Sequence, residues 1–135
     1  MTVKNRYTDI QSILEKCGEY GCHFLSLLSI AEEVNNTPID LIEAIKVCLD
    51  RGFIDNDFYV KAGDLLLEHF TNKKWTRKTV EKLPQKIEDN WYTEAIYFNP
   101  KTDNFHYRRR GWDTIRNSLT VKNGYVIQYY IWVCE

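Results

Sequence analysis

The residues best suited to chemistry in this sequence are a cysteine, a histidine and an aspartate spread along the chain. Cys22 sits in Tyr20-Gly21-Cys22-His23-Phe24, directly before an apolar helical run. A cysteine opening a helix meets unpaired backbone N–H groups and the positive end of the helix dipole, and both favour the thiolate. A thiolate is the nucleophile that acyl transfer requires, and Gly21 has no side chain to block approach to it. His106 would be the base. It lies in Phe105–Arg110, which reads as a strand, on the face opposite Phe105 and Tyr107. With those aromatics turned to the core, His106 points outward or toward the helical half. Asp113, after Gly111-Trp112, is placed to orient the imidazole as the third member of a triad does. Each residue also has a plainer role: Cys22 as a small buried hydrophobe, His106 as a surface side chain, Asp113 as a turn former. His23 adjoins Cys22, but successive residues on a helix do not face each other. His69, at a helix end, reads as structural.

A second constellation is cationic. Arg108, Arg109 and Arg110 run into Gly111-Trp112, with Arg116 shortly after and Lys73, Lys74, Arg77 and Lys78 in the same half. Cations of this kind bind phosphates, and Trp112 or a Tyr can stack on a base, so nucleic acid or a nucleotide is one candidate partner. The plainer reading is a solvated strand edge guarded by cations. Residues 23–54 also resemble the helix-turn-helix of winged-helix regulators. The second helix, however, carries Asp40, Glu43 and Asp50 against Lys46 and Arg51, which suits DNA poorly.

These residues must be held by two differently patterned halves. In residues 1–71 the apolar positions recur at helical spacing. One helix holds Ile10, Ile13, Leu14 and Cys17, and a second, apolar around much of its girth, runs through Phe24 to Val34. A third starts at Thr37-Pro38-Ile39-Asp40, with Thr37 as N-cap and Pro38 first in the helix, and stops at Arg51-Gly52. A fourth runs from about Lys61 to Phe70. After residue 72 the period changes to two. Strands are expected at Trp75–Val80, Trp91–Phe98, Phe105–Arg110 and Leu119–Lys122, the last joined through Asn123-Gly124 to Tyr125–Val133. The fold class is α+β in a single domain: a helical half, 1–71, packed on an antiparallel sheet half, 72–135.

The chain is 135 residues long, 44% hydrophobic and 27% charged, which suits one globular domain and excludes disorder as the dominant state. Its net charge of −1 hides an asymmetry. The helical half carries six Lys and Arg against twelve Asp and Glu, the sheet half twelve against seven. Opposed halves neutralise each other within one molecule or head-to-tail in a homo-oligomer. The longest apolar stretch falls short of a membrane span, and the first residues do not read as a signal peptide. A cytoplasmic setting follows, with Cys17, Cys22, Cys48 and Cys134 as free thiols. No zinc spacing, phosphate loop or dinucleotide fingerprint is present, so neither a metal nor a cofactor is expected.

The order of these features resembles the small papain-like cysteine peptidases, in particular the bacteriocin-processing type and their prophage-encoded relatives. The matching segments are Tyr20 to Leu27, Asn104 to Tyr107, Trp112-Asp113 and Ser118 to Gly124, about a quarter of the chain. The resemblance implies a hydrolase with Cys22 as nucleophile, His106 as base and Asp113 as orienter. It also implies a bacterial host, and either a peptide substrate or, on an inactive scaffold, a protein partner in a host or defence complex that the protein would inhibit. The family's oxyanion glutamine has no counterpart: Lys16 stands there.

Overall fold

The structure is a computed structural model that describes residues 11–17, 20–109 and 124–135. Residues 11–17 form helix α1, followed by α2 (Cys22–Asn35), α3 (Leu41–Asp50) and α4 (Gly63–Thr71). Four strands follow: β1 (Trp75–Val80), β2 (Trp91–Asn99), β3 (Asn104–Arg109) and β4 (Tyr125–Cys134). They make one antiparallel sheet in the order β1-β4-β2-β3. Helices first and strands after is the α+β arrangement that the change of period predicts.

α1 passes into α2 through a close approach at Gly21. Its N–H donates to the Cys17 carbonyl at 2.8 Å, and its own carbonyl accepts from Leu25 at 2.7 Å. A Cβ at Gly21 would fall onto the Cys17 carbonyl oxygen, so only glycine fits. α2 then buries Phe24, Ser26, Leu27, Leu28, Ile30 and Ala31, which makes it the central helix. It stops at Asn36, whose left-handed backbone (φ 50°) ends the helix as Asn often does.

The start of α3 corrects the expected cap. Asp40 is the N-cap, its side chain accepting from the Glu43 N–H at 3.0 Å. Thr37 instead donates its hydroxyl to the Asn35 carbonyl at 3.0 Å, and Pro38-Ile39 lead in without helical structure. Two residues with capping chemistry stand three apart, and the carboxylate, the stronger acceptor, takes the orphan N–H.

β4 is a central strand, paired with β1 on one side and β2 on the other. That explains why it is apolar on both faces: neighbours Ile131 and Trp132 point opposite ways and both are buried. The strand expected at Leu119–Lys122, and Asn123 of its turn, lie outside the described residues. The register fixes which side chains share a face. Trp132 lies beside Tyr92 and Arg77, Tyr130 beside Glu94, and Tyr107 beside Ile96. This face meets the helices. Leu27 of α2, Leu66 and Leu67 of α4, and Trp75 and Trp132 of the sheet belong to one continuous core. No helix among the described residues is long and apolar enough to cross a membrane.

Candidate functional site

The polar centre of the molecule lies where α2 crosses the sheet. On β2 the helix-facing positions are Tyr92, Glu94, Ile96 and Phe98, so a carboxylate interrupts an apolar face. Glu94 is completely buried. A carboxylate there is costly unless donors meet it, and two do. The Trp132 indole N–H donates to Oε1 at 2.7 Å, and His23 Nδ1 lies 2.8 Å from Oε2. Indole can only donate. With Glu94 as the carboxylate, the proton in this contact sits on His23 Nδ1. This is the tautomer control that a carboxylate exerts in a catalytic triad.

Aromatic rings hold the imidazole in place. Tyr107 of β3 stacks on His23 with centroids 4.1 Å apart and planes within 18°. Tyr130 and Trp132 lie at 5.8 and 6.3 Å. Burial above all, with Tyr130, Glu94 and Cys22 nearby, pushes the Tyr107 phenol well above its ordinary range, so it stays protonated. Only 13% of the His23 side chain is exposed.

Cys22 adjoins this cluster. It is partly buried, the first residue of α2, and close enough for its charge to be felt at Tyr107. Cys17 and Cys48 differ: burial pushes their thiols up to about 11 and about 12, the behaviour of inert structural cysteines. Ser26, one turn beyond Cys22, is fully buried, and among the described residues its hydroxyl has no hydrogen-bond partner. A groove of about 270 Å³ begins at Leu25, also one turn from Cys22, and continues along Leu28, Ser29 and Glu32 to Ile39 and Leu41.

The described residues do not show the expected triad brought together. Tyr107 is the β3 side chain stacked on α2, and alternation turns His106, which is buried, to the other face of the sheet. The strand therefore does not bring His106 to the face that meets Cys22. Asp113 lies outside the described residues. So do Arg110, Trp112 and Arg116 of the expected basic patch. Arg108 is half-buried on the His106 face. Arg109 is spent within the molecule: it donates to Ser29 Oγ at 2.7 Å, pairs with Glu33 and lies over Tyr92 at 5.8 Å. It is a brace between β3 and α2, not a free phosphate ligand.

Sequence reasoning passed over His23 and Glu94. A helix turns the neighbours Cys22 and His23 away from each other, so position alone gives His23 no partner. Yet its partner is on the sheet, not on the helix. The available signal was Glu94 itself, a charged residue in phase with Tyr92, Ile96 and Phe98. Among the described residues, no three His, Cys, Asp or Glu side chains are grouped to hold a metal ion. Neither protein-family models, curated proteins nor solved structures gave a match to this chain.

Proposed function

We propose that the protein is a thiol-dependent acyl hydrolase in which Cys22 is the nucleophile and His23, oriented by Glu94, is the base. The observation that carries this reading is the fully buried Glu94 carboxylate on His23 Nδ1, beside a cysteine that opens the central helix. Cys22 and His23 point apart on the helix, so in the proposed reaction a water relays the Cys22 proton to His23 Nε2 while the sulfur attacks the substrate carbonyl. The imidazolium then returns the proton to the leaving group, and water releases the acyl group from sulfur. The groove starting at Leu25 would take an apolar substrate group. A cysteine-opened helix beside an antiparallel sheet is the arrangement that a papain-like scaffold requires; peptides as the substrate class and a bacterial cytoplasmic setting are part of the proposal. The base differs from the one that resemblance implies.

A specific observation favours a second reading, a non-catalytic binding protein. Trp132 occupies the other carboxylate oxygen, so the same network also works as a brace between sheet and helix. The two readings separate on turnover of an activated ester such as p-nitrophenyl acetate. The hydrolase reading expects a burst of one equivalent per chain, lost in Cys22→Ala and slowed on the order of 100-fold in His23→Ala. Equal, burst-free rates for wild type and Cys22→Ala would leave the binding reading.

A further inference from the structure

We propose that the outer edge of β1 is a docking site for an extended acidic peptide, which adds to the sheet as a fifth strand. This inference is independent of the catalytic reading.

Among the described residues β1 pairs with β4 alone, through six consecutive residues in unbroken register, Trp75 to Val80 against Cys134 to Tyr129. Its four inner residues, Thr76, Arg77, Lys78 and Thr79, are all exposed, so no described element covers them on either face. It contains no proline, glycine or bulge, the devices that usually blunt an edge. Cations are another such device when they project past the edge. Here they do the opposite. The Arg77 guanidinium folds back over Tyr130 at 4.5 Å, on β4. The Lys78 ammonium reaches back to Trp91 at 4.9 Å, on β2, a strand further in. Both heads lie over the sheet, one on each face, and among the described residues no strand pairs with the outer N–H and C=O groups of β1.

Charge selects the occupant. Lys74 is paired with Glu68 at 2.6 Å, but among the described residues neither Arg77, Lys78 nor Lys73 has a carboxylate within ion-pair distance. A second copy of β1 would set Arg77 and Lys78 against the same cations, and like charges facing across strands repel. A strand with two adjacent acidic side chains, one toward each face, places one beside Arg77 and the other beside Lys78. The backbone ladder would supply affinity and the acid pair specificity.

The test is fluorescence anisotropy of the full chain with a dye-labelled eight-residue peptide of alternating Val and Thr around a central Glu pair. Three controls are a Lys-pair peptide, the Glu peptide N-methylated at alternate amides, and the variant Arg77→Glu/Lys78→Glu. We expect saturable binding of the Glu peptide below about 1 mM, weakened by salt. We expect about tenfold weaker binding to the variant, which should prefer the Lys peptide. Loss of binding on N-methylation would show that the backbone ladder forms. Binding that ignores N-methylation, or ignores the charge reversal, would overturn the proposal. So would no binding at all, or self-association of the chain through β1 in sedimentation. Because the readout is binding, none of these results depends on Cys22 or His23.

Discussion

The two edges of the sheet carry the same kind of side chain and use it in opposite ways. At β3, Arg109 is driven under α2, is only 15% exposed, and is consumed by Ser29 and Glu33. At β1, Arg77 and Lys78 lie exposed on aromatic rings, with no acidic partner among the described residues. The difference is the helix. Where α2 covers the sheet, every charge must be answered, and Arg109 and Glu94 are. Where no element covers it, cations rest on ring faces at little cost and remain free to exchange partners. An arginine's role therefore follows from what lies above it, not from its neighbours in a basic run.

Several substitutions would break or sharpen this contrast. The largest effect is expected at the covered face. Glu94→Ala leaves the Trp132 N–H and His23 without their acceptor and should cost about 3 kcal/mol in chemical denaturation. Gly63→Ala comes next. Its Cβ would sit 2.6 Å from the Trp132 ring and 3.2 Å from Leu27 Cδ1, so overpacking should cost about 1–3 kcal/mol. Arg109→Ala should cost about 1–2 kcal/mol, while Arg77→Ala should stay within about 0.5 kcal/mol; equal losses would erase the distinction between the edges. Asp40→Ala should cost about 1 kcal/mol at the α3 cap, against no comparable loss for Thr37→Ala.

The buried thiols add a pH dependence. Cys17 and Cys48 have folded values raised to about 11 and about 12 from an ordinary 9.0. A raised value means that the folded state keeps its proton longer than the unfolded chain does. The stabilisation is complete below about pH 9 and is lost as pH climbs toward 11–12. Denaturant midpoints should therefore fall steadily across that window. Replacing Cys48 by Ala, at its own cost in packing, should flatten the fall.

Period alone predicts much of the fold. The helix-to-strand order, the bounds of β1, the burial of α2 and the two-faced apolarity of β4 all follow from local pattern. What escaped depends on contacts between distant residues. The cap of α3 turned on a contest between Thr37 and Asp40 that spacing does not decide. Arg109 looked like its neighbours until Glu33, on another element, claimed it. For the candidate site, Cys22 at a helix start was legible, but its setting was not. His23 and Glu94 are 71 positions apart and meet only because α2 packs on β3, the strand beside β2. The alternation that suggested His106 is the same alternation that places Tyr107, one residue on, against the helix.

The most direct test of the proposed site is the pH dependence of Cys22 alkylation by iodoacetamide in wild type, His23→Ala, Glu94→Gln and His106→Ala, each first shown to be folded. If His23 and Glu94 activate Cys22, the wild-type midpoint lies well below the roughly 8.5 of a free thiol. It should rise in His23→Ala and Glu94→Gln and stay put in His106→Ala. A midpoint that moves with His106 and ignores His23 and Glu94, or one that never leaves the free-thiol range, would contradict the assignment.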